Sequence, residues 1–143
     1  MSLTNQIEGI ALKTLEKTAV KAANAAWPLI AELNRRFFDH PEMRPFFYEN
    51  QHIEESTPPD LASRVRSTAE TYCDFVETVL LHDSTLPNGG FAVWRDFCRD
   101  VLSKSPAMRT FLHDHPDWYR STVYEVRDEA EAVLRAESEQ SSS

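Results

Sequence analysis

The sequence predicts an all-α fold: an irregular bundle of about four main helices plus two short ones. It forms one domain over residues 1–137 with a disordered polar tail at 138–143. Three observations carry this. Every long segment is apolar with a period near 3.6, and none alternates with period two. Glycine occurs only three times in 143 residues, which disfavours hairpin-rich β folds. The composition, 41% hydrophobic and 27% charged, suits a chain of one-domain length that can bury its own core.

The first helix is expected over residues 4–38. Ile7, Ala11, Leu15, Ala19, Ala22, Ala26 and Leu33 recur at helical spacing, and Lys13, Lys17 and Lys21 fall four apart on the opposite side. Pro28 removes one backbone donor, so a kink near Ala26, or a division into helices 4–26 and 28–38, is expected there. His40-Pro41 ends the segment, because the residue before proline resists the α conformation. A short helical turn at 42–48 and a polar loop at 49–57 follow.

Helix two should start with Thr57 as cap, Pro58 at the first helical position and Asp60 in the first turn. Its inward stripe reads Leu61, Val65, Ala69, Tyr72, Val76, Val79 and Leu80. Pro87-Asn88-Gly89-Gly90 reads as a turn. Helix three spans about 91–104 with Trp94, Phe97, Cys98, Val101 and Leu102 inward. Ser105-Pro106 then caps a short helix to about Leu112. Helix four should run from Pro116 to about Glu137, with Tyr119, Val123, Val126, Ala130 and Val133 or Leu134 inward.

One internal echo stands above composition. Pro41-Glu42-Met43-Arg44-Pro45-Phe46-Phe47 matches Pro106-Ala107-Met108-Arg109-Thr110-Phe111-Leu112 as P-x-M-R-x-F-[F/L]. Asp39-His40-Pro41-Glu42 matches Asp114-His115-Pro116-Asp117. In each copy proline should end one helix and start a short one. Met and the following apolar pair should plug the core, and the Arg should lie near a helix end, where carbonyls want donors. The sharper reading makes Arg44 and Arg109 line one shared anion or partner site; a third reading is an enzyme that uses Arg44 or Arg109 with His40 or His115.

The run Leu33-Asn34-Arg35-Arg36-Phe37-Phe38-Asp39-His40-Pro41-Glu42-Met43-Arg44-Pro45-Phe46-Phe47-Tyr48 resembles a segment of small helical bacterial proteins known from actinomycetes. Trp94, Ser105-Pro106-Ala107-Met108-Arg109 and Trp118-Tyr119 continue the likeness, which spans residues 33–119. The resemblance implies a bacterial, helical protein. It implies no activity, and no catalytic residue comes with it.

Chemistry is sparse. His113-Asp114-His115 is the densest cluster of metal-ligating types, yet neighbours one and two apart on a helix point away from each other. No metal or cofactor is expected. Cys73 and Cys98 lie on apolar stripes and read as buried, reduced thiols of a cytoplasmic protein. The carboxylates Asp128, Glu129 and Glu131 read as a solvated face. Trp94, Trp118 and Tyr119, with Phe46, Phe47 and Tyr48, are plain core or, alternatively, the wall of a ligand cavity between the two P-x-M-R turns. No apolar run is long enough to span a bilayer, and no signal peptide is evident.

The formal net charge of −8 argues against nucleic acid as a partner. Charge is also segregated: residues 1–38 carry five bases and three acids, a net of +2, which leaves −10 on the rest. A lysine stripe opposite an apolar face also fits a membrane surface, but three lysines beside small alanines give it a weak grip. The expectation is a non-enzymatic interaction or regulatory module, docking a protein partner or itself through Lys13, Lys17 and Lys21 or through the acidic remainder. The alternative is a small-molecule sensor.

Overall fold

The computed structural model describes residues 24–82 and 90–141. The lysine stripe Lys13, Lys17 and Lys21, the apolar positions Ile7 to Ala22, and residues 87–89 of the expected turn lie outside the described residues.

Helix α1 comprises residues 24–39 and runs without interruption through Pro28, so the expected division at that proline is absent. Ala26, Leu33 and Phe37 are its buried positions, seven and four residues apart on one face. The helix ends at His40, whose φ of −135° and ψ of 69° lie outside the helical region, as a residue before proline requires. A 3-10 turn, Pro41–Met43, and a single helical turn, α2 (Pro45–Tyr48), follow. Met43, Phe46 and Phe47 are buried in the core. A loop then leads to α3.

Helix α3 is Pro59–His82. Its start differs from expectation by one residue. Pro59, not Pro58, takes the first helical position, and the Pro58 carbonyl accepts the Ala62 amide at 2.9 Å. Thr57 does not cap the helix. Its hydroxyl accepts the Glu54 amide at 2.9 Å and closes a separate turn. The expected stripe is buried except Leu61, which is half-buried, and it is widened by Thr68, Cys73 and Phe75.

Helix α4 is Gly90–Lys104, α5 is Pro106–Asp114 and α6 is Ser121–Ser141. Cys98, Val101 and Leu102 of α4 are buried. Phe97, expected inward, is 40% exposed and stands on the flank, edge-on to Phe75 and Trp94. Ser105 caps α5 as expected, its hydroxyl accepting the Met108 amide.

Helix α6 begins five residues later than the Pro116 signal suggested. Backbone groups that a helical ladder would have used are held instead by side chains, one from α3 and one from α6 itself. The Tyr119 amide donates to the Tyr124 hydroxyl at 3.2 Å, that hydroxyl donates to the His115 carbonyl, and the Arg120 amide donates to Glu77 at 2.9 Å. Residues 115–120 therefore form a turn. At its other end the helix continues through Ser141, beyond the expected limit near Glu137.

Among the described residues there is no strand. Helix α4 packs on α6 and α3 on α5, with α2 wedged against α4 and α5. No helix among the described residues is long and apolar enough to cross a membrane.

Candidate functional site

The two P-x-M-R turns meet in the core. The Ser105 hydroxyl donates to the Phe46 carbonyl at 2.9 Å, and the Asn50 amide donates to the Lys104 carbonyl, also at 2.9 Å. Asn50 has φ of 57°, a left-handed conformation that asparagine tolerates. The arginines of the repeat diverge. Arg109 Nη1 donates to the Leu102 and Ser103 carbonyls at 2.7 and 2.9 Å and so closes the C-terminus of α4. Half-burial pushes its guanidinium below the ordinary range, although that range still leaves it charged. Arg44 instead lies over the rings of Tyr48 and Phe37, at 5.2 and 6.0 Å from their centroids. One shared Arg44–Arg109 site is therefore not assembled.

Arg44 belongs to an open hollow of about 540 Å³ lined by Asn34, Phe37, Phe38, Pro41, Arg44 and Tyr48. Its floor is firm: the Tyr48 and Tyr72 hydroxyls lie 3.0 Å apart, and Phe37, Phe47 and Tyr72 pack ring to ring. Burial, then the bond to Tyr48, holds the Tyr72 hydroxyl far above its ordinary range and keeps it protonated. Among the described residues Arg44 has no acidic partner.

The hollow opens onto the outer face of α1. Trp27 is 68% exposed and Phe38 is 86% exposed. Eleven residues at 100° per residue return to within about 20° of the same direction, so the two aromatics share one stripe about 16 Å long. Ala31 and Asn34, also exposed, lie between them. Neither aromatic is among the docking residues that the sequence suggests for this helix, Lys13, Lys17 and Lys21. The signal they share is their eleven-residue spacing.

His40 lies in another hollow with Arg35, Arg36, Asp60, Arg64 and Ser67. Its basic side chains each have an acidic partner. Glu32 accepts from Arg35 at 2.7 Å and from Arg36 at 2.8 Å, while Glu42 lies 3.3 Å from His40 Nδ1 and 3.7 Å from Arg64. The hydrogen bonds from Arg35, then Arg36, hold the Glu32 carboxyl down at about 2. Arg36 also reaches Ser67 and Thr68, tying α1 to α3.

His115, Trp118 and Tyr119 are brought together, and Trp94 is not among them. The rings of His115 and Trp118 lie 3.8 Å apart, and Phe111 packs on His115, Trp118 and Tyr119. Trp94 packs instead on Phe75 and Phe97. Tyr119 donates to Asp74 at 2.7 Å; partial burial first, then that bond, raises its hydroxyl well above the ordinary range. Trp118 is 59% exposed.

The acidic positions of α6 are not a simple solvated face. Glu129 accepts from Arg95 of α4 at 2.6 Å, and Glu131 lies 2.6 Å from His113 Nε2 of α5. Asp128 keeps to its own helix, paired with Arg127. His113 and His115 thus face different partners, and among the described residues no three His, Cys, Asp or Glu side chains are grouped to hold a metal.

A further groove, of about 430 Å³, lies between α3 and α5. Phe111 and Asp114 of α5 and His115 just after it meet Arg66, Ser67 and Glu70 of α3 and His52 of the loop before α3 there. Of these the sequence singled out only His115 as a site residue, because polar positions on α3 carry no signal beyond facing solvent. Comparison with protein-family models, curated proteins and solved structures gives no match to this chain.

Proposed function

We propose that this chain is a non-enzymatic protein-interaction module, built as an irregular bundle of four main helices, that docks its partner along the outer face of α1. The observation that carries the reading is the Trp27–Phe38 stripe, two large aromatics aligned on one helix face and mostly in solvent. Exposed aromatics in line on a rigid element mark interaction surfaces more often than isolated ones do. Tryptophan and arginine are the residues that most often anchor interfaces. Arg44, stacked on Phe37 and Tyr48 at the end of the stripe, offers a cation to an acidic group of the partner. The partner is therefore a protein segment with an apolar ridge and a neighbouring carboxylate.

The test is parallel capture by the wild type, by Trp27→Ala and Phe38→Asp, and by Ser138→Ala as a distant surface control, with sedimentation to detect self-association. A partner, or a second copy, that the wild type and the control retain and both aromatic variants lose supports the reading. Binding that survives both substitutions overturns it. So does a wild-type chain that is monomeric and retains nothing.

A further inference from the structure

We propose that the groove between α3 and α5 binds a small zwitterion of amino-acid type, with Arg66 taking the carboxylate and Glu70 and Asp114 taking the ammonium. The argument starts from size. A volume of about 430 Å³ lies in the lower part of the range for small-molecule sites and leaves room for a side chain beside the two charged groups.

The lining then selects the chemistry. One wall is apolar, from Ile53, Pro106, Ala107 and Phe111. The charged set is Arg66, Glu70 and Asp114, with the imidazoles of His52 and His115. With both imidazoles neutral this is one cation against two anions. A phosphate or a dicarboxylate would meet net negative charge. A plain cation would leave the guanidinium without a counter-charge. A molecule that carries both signs a few ångströms apart meets both demands.

The charges are also available. Arg66 and Glu70 lie four residues apart on α3, a spacing that permits ion pairing. Glu32–Arg36 and Asp100–Lys104 have the same spacing and are paired. Arg66 and Glu70 stand in the reverse order, base before acid, which the helix dipole favours less. Among the described residues neither they nor Asp114 form an ion pair.

One wall is held in place before any ligand arrives. His115 Nδ1 lies 2.9 Å from the Phe111 carbonyl, so in the neutral ring Nδ1 carries the proton and Nε2 is an acceptor. An acceptor there suits an ammonium. The His115 ring is fixed between Phe111 and Trp118.

The test is an amide-resolved NMR titration with three probes that share one ring. These are L-phenylalanine, 2-phenylethylamine, which lacks the carboxylate, and 3-phenylpropionate, which lacks the ammonium. L-Phenylalanine is expected to shift the amides of Ile53, Arg66 to Glu70 and Ala107 to His115 saturably. Each single-charge analogue should bind at least about tenfold more weakly, roughly the worth of one charge-assisted contact. Arg66→Gln should abolish the preference over 2-phenylethylamine, and Glu70→Gln should reduce the preference over 3-phenylpropionate. Both positions are exposed, so the variants keep the fold, and unchanged amide shifts elsewhere check it. No saturable shift, shifts outside the groove, or equal binding of all three probes overturns the proposal.

Discussion

The Ser105 hydroxyl donates to the Phe46 carbonyl, 59 positions earlier in the chain, and at the same time accepts the Met108 amide. Ser105 is fully buried. It is at once the N-cap of α5 and the bolt between the two copies of the P-x-M-R turn.

Ser105→Ala is therefore expected to cost more than a cap alone. It removes the cap and leaves the Phe46 carbonyl and the Met108 amide unpaired in a dry site, a loss of about 2–4 kcal/mol. Urea denaturation measures it. A loss under about 0.5 kcal/mol would mean that both groups find other partners.

The two arginines of the repeat should separate by stability. Arg109→Met keeps the stem but frees the Leu102 and Ser103 carbonyls, for an expected cost of about 1.5–3 kcal/mol. Arg44→Met removes the guanidinium of an exposed residue that rests on the Phe37 and Tyr48 rings, about 0.5–1 kcal/mol. Equal costs in urea denaturation would refute this division of roles.

Cys73 and Cys98 are both buried as thiols, and burial pushes the Cys73 thiol well above its ordinary range. Since the thiolate is the reactive form, Cys73 should resist a disulfide-exchange reagent at pH 8 in the native protein. Both thiols should react at once in denaturant. Titration of released thiolate counts them in each condition.

Glu32 gives the acid limb of stability a defined contributor. Its carboxyl titrates at about 2 in the folded protein against 4.5 for the free group. A depressed folded value means that the contribution is complete above about pH 4.5 and is lost as pH falls toward 2. Glu32→Gln should flatten stability against pH in that window and leave the slope near neutrality unchanged. Thermal melts from pH 2 to 7 check it; an unchanged acid slope would count against the Arg35–Glu32–Arg36 cluster as its source.

Much of the architecture was legible because local signals and packing agreed. Met43, Phe46, Phe47, Met108 and Leu112 fill the core as the repeat implied, and Ser105-Pro106 opens a helix as its chemistry dictates. The start of α6 was not legible, because Pro116 is a sound local start signal and was overruled by Glu77 of α3 and by Tyr124 of α6 itself. A helix also runs through Pro28, where one missing donor proved insufficient to break it.

The candidate sites were legible only in fragments. Arg44, His115, Trp118 and Tyr119 were visible as residue types, but their companions depend on which helices pack together. Trp27 and Phe38 carry no site signal of their own, because the outer face of the first helix is marked in sequence by its lysines and the two aromatics lie eleven residues apart. Arg66 and Glu70 acquire meaning only when α5 is laid beside α3.

Asn50 sits in a loop, where amide protons ordinarily exchange with solvent first. Its N–H is instead committed to the last residue of α4, beside the Ser105 bolt. Deuterium should therefore enter this loop amide as slowly as it enters the core helices, because releasing it requires the turn around α2 to part from the α4–α5 junction. A slow-exchanging proton at an irregular position would place the cooperative centre of the molecule where its two echoed turns touch.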